Sequence, residues 1–551
     1  MRTNDEKIAL YHAAVNALEH GKARVQSVLG KLHSDDRFKT GGKEAFAIAE
    51  RSVAAVNGLN RAELEEIVAD MGKEAPKVEK SRERGLDPLK IDDGVVTRFP
   101  PEPNGYLHIG HAKAAIIGHE YARIYGGRFQ LRFDDTNPRN EKFEFYDAQK
   151  EDLRWLGIDW DEELRSSADT ELFYRYCQRL LKDGSAFVCT CQPQKLRDLR
   201  SSREPCPCRS LTSEENLERW QRMFSMEEGG AVVRLRGDLG NDNSVMWDPT
   251  LLRIIDHEHP IEGHRYRIWP TYDFAGAVED SIHGVTHALR SKEYELRDEL
   301  YFRILDLLDL RKPRLIEFSR LEMEGVDISK RAMKKKVAER GWSWDDPRFP
   351  TLGGLKRRGI TPQAIRELVL SLGVSKSEAV ISWELLYSQN RKVVDPIARR
   401  LFFVRDPVMF KVKGAPEGTV RLKNHPSQDM GTRKVAHRGE FYIPADEAAR
   451  LKNDELVRLK DLYNVRVEKS GSSIGGRYSK EPFDRRTMKI QWVSHEHVDV
   501  EVLMVEGDDL GVVKGYGEEA VKNLGDGEII QFERFGFCRT DGPNRFIYAH
   551  R

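Results

Sequence analysis

Arg98-Phe99-Pro100-Pro101-Glu102-Pro103-Asn104-Gly105-Tyr106-Leu107-His108-Ile109-Gly110-His111 lies where a strand gives way to a helix. Val95 to Phe99 reads as the strand, Pro100 to Gly105 as a turn, and His108 to Tyr125 as a helix closed by Gly126-Gly127. A second strand follows at Arg128–Phe133. Strand, helix and strand at this spacing form a βαβ unit. That predicts a parallel sheet with its ligand site beyond the carboxyl ends of the strands, where Asp134 and Asp135 stand. A helix N-terminus presents unpaired N–H groups and the positive end of its dipole, which suits a triphosphate. Gly110 lets a flat base lie against the backbone. His108 and His111, three apart, share a face of the first turn and can both donate to phosphate oxygens. An isolated His-x-x-His is more often structural than functional, so its context decides.

The chain has 551 residues, too many for one core, and divides into several compact units. Residues 1–71 are rich in Ala, Glu and Leu, with Ile8, Tyr11, Val15 and Leu18 at helical spacing, and form an N-terminal helical domain. Residues 72–90 are charged and punctuated by Pro and Gly, as a linker is. Residues 331–395 form a helical connector, with helices expected over Pro362–Leu372 and Ser382–Ser388. The texture of 396–551 is alternating apolar and polar runs between turns, as in one or two β-barrels. Lys plus Arg and Asp plus Glu are 90 each, so net charge points to no partner. The basic clusters Lys330–Lys336 and Lys356–Arg358 are either phosphate contacts or solvated helix faces. No apolar run approaches the ~18 residues of a membrane-spanning helix, which argues against a membrane role. The charged N-terminus makes the reducing cytoplasm the expected compartment.

Four of the six cysteines form Cys189-Thr190-Cys191 and Cys206-Pro207-Cys208, with fourteen residues between the pairs. Four thiolates suit a tetrahedral Zn²⁺, which would fold a loop poor in core residues and, having no open position, would be structural. Disulfides and unligated thiols are the alternatives. Cys177 and Cys538 read as packing residues.

The quoted stretch resembles the HIGH signature of class I aminoacyl-tRNA synthetases, and its lead-in Pro-Pro-Glu-Pro-Asn-Gly-Tyr-Leu resembles the glutamyl/glutaminyl branch. Asp327-Ile328-Ser329-Lys330-Arg331 resembles the KMSKS loop, with Asp327 where the first lysine stands. The likeness continues through Leu131–Pro138, Tyr272-Asp273-Phe274, Gly284–His287, Glu317–Leu321 and Trp344–Arg348. It implies a multidomain α/β plus β architecture. A Rossmann-type catalytic domain in two halves, 91–185 and 266–330, would be interrupted by an acceptor-end binding domain at 186–265 that carries the four-cysteine site. The C-terminal region would be antiparallel β-barrels that bind the anticodon, as in archaeal and eukaryotic glutamyl enzymes.

By the same resemblance, His108, His111 and Lys330 would be catalytic. ATP would lie against Pro100, Glu102, Pro103, Asn104, His108, Gly110, His111, Arg320, Leu321, Ile328, Ser329 and Lys330. Asp134 would hold the substrate ammonium, Tyr272 would line its pocket, and Arg98 would face the end of its side chain. Arg290 favours glutamate, because a second guanidinium would pair with a γ-carboxylate; Gly276 agrees with that choice. Alternatively Arg290 is paired with an acid such as Glu293 or Glu295. ATP with Mg²⁺, L-glutamate and tRNA(Glu) would be the reactants, with tRNA(Gln) left open. A monomer is expected, and residues 1–71 offer a docking unit for a protein partner. The runner-up is a glutaminyl-tRNA synthetase. A non-enzymatic tRNA-binding paralogue comes last, since it would have lost His108, His111 or Lys330.

Overall fold

A computed structural model of the chain describes residues 4–33, 42–71, 86–92, 94–327, 329–377, 379–470, 473–482 and 486–551. They fall into two compact units, Met1–Gly85 and Leu86–Arg551.

The first unit holds four helices, α1 (Asn4–His20), α2 (Val25–His33), α3 (Gly42–Val56) and α4 (Arg61–Met71). Small residues on one face, among them Ala13, Ala14, Ala17 and Ala49, let the helices close around Ile8, Val28, Leu32 and Val53. Asn60 starts α4 by a reciprocal cap: its side chain accepts from the Ala62 N–H at 3.0 Å, and its own N–H donates to Glu63 at 2.7 Å. Most of the expected linker, residues 72–85, lies outside the described residues.

In the second unit β1 (Val96–Phe99) leads through α5 (Ile109–Ile124) to β2 (Arg128–Phe133), and α6 (Phe143–Trp155) precedes β3 (Glu162–Arg165). All three strands pair in parallel, with Val96 opposite Arg128 and Gln130 opposite Glu162. The return from α5 is tight. Gly126 has φ 59°, and a Cβ on Gly127 would stand 1.9 Å from the Val95 carbonyl oxygen, so no other residue fits there.

After α7 (Thr170–Lys182) the chain builds an antiparallel four-stranded sheet of β4 (Ala186–Cys189), β5 (Val232–Leu235), β6 (Thr250–Ile254) and β7 (Ile268–Pro270). Its last strand runs past residue 265, directly into α8 (Tyr272–Ile282). β8 (His287–Ser291), α9 (Asp298–Leu307) and β9 (Arg314–Phe318) then resume the parallel layer. Thr286 donates from its N–H to Val96 O at 2.9 Å, which sets β8 beside β1, and β8 pairs in parallel with β9.

Four more helices follow, α10 (Lys330–Arg340), α11 (Leu352–Arg358), α12 (Pro362–Leu372) and α13 (Trp383–Val394). Leu352, Leu355, Ile365, Leu368 and Leu386 share one core with Leu107, Ile116 and Leu131, so the connector is part of the layer that carries the βαβ unit. From Arg399 onward two seven-stranded sheets appear, one centred on Val500, Val502, Ile530 and Phe546, the other on Phe410, Phe441, Val465 and Trp492. They are not purely antiparallel. Strand pairs distant in sequence, Arg399–Leu401 with Ile529–Phe532 at the edge of one sheet and Pro407–Lys413 with Ser473–Ser479 inside the other, meet in parallel. Among the described residues no helix is long and apolar enough to cross a membrane.

Candidate functional site

A cleft of about 720 Å³ opens at the carboxyl ends of β1, β2, β8 and β9. Its wall includes Pro100, Glu102, His108, Gly110, His111, Asp134, Tyr272, Arg290, Arg320, Leu321 and Ser329. Pro103 and Asn104 do not reach it; they are buried in the turn, where the Pro103 carbonyl accepts from Lys142 N–H at 3.1 Å. Gln149, buried on α6, pins the turn by donating to the carbonyls of Glu102 at 3.0 Å and Gly105 at 2.8 Å.

His108 is the N-cap of α5 rather than its first helical residue, with φ −127° and ψ 173°. Its Nδ1 accepts from the Gly110 N–H at 3.1 Å, and His111 Nδ1 accepts from the His108 N–H at 3.2 Å. With both Nδ1 atoms used as acceptors, each neutral ring carries its proton on Nε2. The rings lie 3.8 Å apart, so two N–H donors are concentrated at the positive end of a helix.

Asp134 sits just past β2. Loss of hydration pushes its carboxyl up to about 6 against the pull of Arg132, and Glu102 adds to the rise. The Tyr272 ring begins α8 and packs 5.0 Å from that of Tyr294.

The two arginines expected to read the substrate differ. Arg98 is spent on the protein: Nε and Nη2 donate to the two oxygens of Asp280 at 2.9 and 3.0 Å, and Nη1 donates to Leu289 O at 2.5 Å. Arg132 Nη1 and the Tyr301 hydroxyl complete the ring around Asp280 at 2.8 and 3.0 Å. Burial alone would raise the Asp280 carboxyl, but Arg98 and Arg132 outweigh it and hold it at about 2. Arg98 therefore lines a small interior cavity with Tyr272, Gly276 and Arg290 and is absent from the wall of the main cleft. Arg290 lines both. Its acidic partner is Asp298, the first residue of α9, and neither Glu293 nor Glu295. Asp280 and Asp298 escape a reading of the sequence because their partners are set by the fold. The only sign of Asp280 is a pair of acids, Glu279-Asp280, that follows the apolar run Phe274–Val278 of helix α8.

On the opposite wall Arg320 pairs with Glu293 at 2.8 Å. Lys113 of α5, buried, donates from Nζ to Ser319 O at 2.6 Å, which ties that helix to the Ser319-Arg320-Leu321 segment. Asp327 accepts the Ser329 N–H at 2.8 Å, and Ser329 caps α10 by accepting from Ala332 N–H at 3.3 Å. Lys330 is the first residue of α10; its side chain and all of Ile328 lie outside the described residues.

Away from the cleft, Cys189, Cys191, Cys206 and Cys208 bring their four Sγ atoms within 4.8 Å of one another. Sγ separations of 3.8 Å for Cys189–Cys206 and Cys191–Cys208 exclude S–S bonds. They match the ~3.8 Å edge of a tetrahedron with ~2.3 Å metal–sulfur bonds. Arg219 donates to Cys208 Sγ at 3.3 Å and Arg234 to Cys206 Sγ at 3.9 Å, as thiolates require. Between the two C-terminal sheets a second cleft, of about 560 Å³, is lined by Arg400, Arg421, Lys423, Arg433, Lys460 and Arg534.

Residues 94–396 match the catalytic domain of class I tRNA synthetases (E and Q), and 398–479 and 489–541 match two anticodon-binding domains of the same class. The glutamate–tRNA ligase of Nitrosopumilus maritimus is 44% identical over 98% of this chain and 98% of its own length. That of Pyrococcus abyssi is 42% identical over 99% of this chain and all of its own. The solved glutamate-tRNA synthetase of Elizabethkingia anophelis aligns with TM-score 0.41 and 21% identity over 56% of this chain and 72% of that one.

Proposed function

Because the chain belongs to the class I tRNA synthetases for glutamate and glutamine, we propose that it is the glutamate-specific kind, joining glutamate to tRNA at the expense of ATP. The reaction has two steps. The substrate α-carboxylate attacks the α-phosphate in line and pyrophosphate leaves. A ribose hydroxyl of the terminal tRNA adenosine then attacks the adenylate carbonyl and releases AMP. Mg²⁺ accompanies the triphosphate and neutralises part of its charge. The protein's share is positioning and electrostatics.

The Nε2–H donors of His108 and His111 would meet the charge that builds on the phosphates during displacement. Lys330, at the start of α10, would add a cation to the charge that builds on the phosphates, which favours the transition state over the ground state. Asp134 would bind the substrate ammonium beside Tyr272. The observation that carries glutamate over glutamine is Arg290: a buried cation in the same cleft as Asp134, placed to take a γ-carboxylate that a neutral amide cannot replace. Arg98, held by Asp280, would shape the pocket floor.

The tetrahedral spacing of the four Sγ atoms supports a structural Zn²⁺ held by Cys189, Cys191, Cys206 and Cys208. The basic cleft between the C-terminal sheets supports contact with tRNA. Six cysteines without an S–S bond fit the cytoplasm, and a monomer is the expected functional unit. Residues 1–71 offer a separate unit for a protein partner; a pull-down with that segment that recovers nothing removes this role.

Aminoacylation with ATP, Mg²⁺ and purified tRNA(Glu) or tRNA(Gln), comparing labelled glutamate and glutamine on wild type and Arg290→Cys, tests the proposal. Glutamate transfer by the wild type that collapses in the variant is expected. Preferential glutamine transfer would make the chain the glutamine-charging kind.

A further inference from the structure

Arg290 is held by one acid, Asp298, with a second acid, Glu317, on the neighbouring strand. It lies opposite Glu317 in the β8–β9 register, and its guanidinium stands 5.0 Å over the Tyr301 ring. Its side chain is 5% exposed. Nη2 is bound by Asp298, whereas Nε is buried and has no hydrogen-bond partner. Asp298 is 28% exposed and carries a carboxyl that burial pushes up to about 6 against the pull of Arg290, with Glu317 adding to the rise. Glu317 gives one oxygen to Lys376, and its carboxyl, with Oε1 buried, lies within hydrogen-bonding reach of the Asp298 carboxyl.

A buried guanidinium with a single anchor has two needs: a compensating charge while the cleft is empty, and a fixed plane so that its remaining donors meet an incoming carboxylate together. Asp298 supplies both, because it engages Nη2 and does not itself take Nε. We propose that Asp298 is a positioning residue for substrate selection, clamping Arg290 so that its unpaired edge faces the γ-carboxylate. Discrimination between glutamate and glutamine then depends on Asp298 as well as on Arg290. This rests on the reading of Arg290 given above.

The test measures kcat and KM for glutamate, glutamine and ATP on wild type, Asp298→Ala, Asp298→Asn, Arg290→Cys and the Asp298→Ala/Arg290→Cys double variant. Asp298→Ala is expected to raise the glutamate KM about tenfold and to lower the glutamate/glutamine ratio of kcat/KM about as much, with the ATP KM within about twofold. Asp298→Asn, which keeps the shape and one acceptor oxygen, recovers part of the loss. The double variant is no worse for glutamate than Arg290→Cys, because the clamp acts only through the arginine. A normal glutamate KM in Asp298→Ala alongside an impaired Arg290→Cys overturns the inference and leaves the reading of Arg290 standing. An unimpaired Arg290→Cys overturns both. If Asp298→Ala and Asp298→Asn lose glutamate and ATP binding alike, with lowered unfolding temperatures, the residue is only structural and the inference falls.

Discussion

The pH behaviour of the cleft follows from individual carboxyls. If Asp134, pushed up to about 6, holds the substrate ammonium, it must be ionised to do so, and binding would be available above that pH and lost as pH falls through it. The profile of kcat/KM for glutamate is expected to fall with an apparent pKa near 6 rather than the ~4 of an ordinary aspartate, and the limb disappears in Asp134→Asn. Steady-state kinetics between pH 5 and 8, with folding followed in parallel by far-UV circular dichroism, checks this. Asp280 behaves oppositely. Its folded value, about 2, lies below the ~3.9 of an unfolded aspartate, so its contribution to stability is full above about pH 4 and disappears as pH falls towards 2. Asp280→Asn is expected to lower stability by roughly 3 kcal/mol or more at neutral pH, because Arg98 and Arg132 lose their shared buried counter-charge. Urea unfolding measures it. These two residues also mark the reach of sequence reading. Asp134 stands in a quoted motif at a strand end, whereas Asp280 takes its meaning from Arg98, 182 positions away.

At the scale of elements, local chemistry made several boundaries legible. The helix expected over Pro362–Leu372 has those ends because Thr361 caps it, Pro362 fits its first turn and Gly373 follows it. The helix expected to close at Ser388 runs on to Val394, since Gln389–Lys392 contains no Gly or Pro and buried Asn390 carries the inner face from Leu386 to Val394. α5 starts one residue late because His108 lends its ring to the cap. What no local pattern shows is contact at a distance, such as the parallel pairing of Arg399–Leu401 with Ile529–Phe532. The Cys loops lie between these cases: their residues are obvious and their shape is not. Helix Pro193–Ser201, between the two Cys pairs, has no fully buried residue and packs only the half-buried Leu196 and Leu199 against the cysteine cluster, so apolar packing holds it weakly. The purified protein is expected to carry about one Zn²⁺ per chain by mass spectrometry of the metal. Cys206→Ser or prolonged chelation is expected to abolish that metal and open the segment Cys189–Cys208 to protease, while the distant sheets stay protected. Full protection of the stripped protein would assign the loop's stability to packing alone.

At the scale of the whole chain, tRNA contact at the C-terminal sheets has to matter to chemistry in a cleft built elsewhere, and the second unit contains two short mechanical routes. Asp541, beyond strand Gly536–Thr540, takes Arg357 of α11 through both oxygens at 2.8 and 3.0 Å. α11 starts at residues that bracket the histidine turn: Ile109 N–H donates to Pro350 O at 3.1 Å, and Leu352 N–H donates to Leu107 O at 2.9 Å. The other route is the hairpin His497–Glu506/Asp509–Glu518. Its tip residue Asp508 binds Lys336 of α10 and, through its carbonyl oxygen, Arg348 at 3.2 Å. The first route runs through helix α11 to the histidine turn, and the second reaches helix α10, which starts at Lys330, and the loop at Arg348. An exposed ion pair such as Lys336–Asp508 adds at most ~1 kcal/mol to stability, so its removal leaves folding nearly unchanged. If these contacts align the catalytic segments, the double variant Arg357→Ala/Asp508→Ala loses about tenfold in kcat for aminoacylation, equivalent to ~1.4 kcal/mol of barrier. Its KM for tRNA stays within about twofold, because the basic cleft is untouched. A rise in tRNA KM at constant kcat would place these residues in tRNA contact instead, and unchanged kinetics would mean that the two sheets and the cleft work independently.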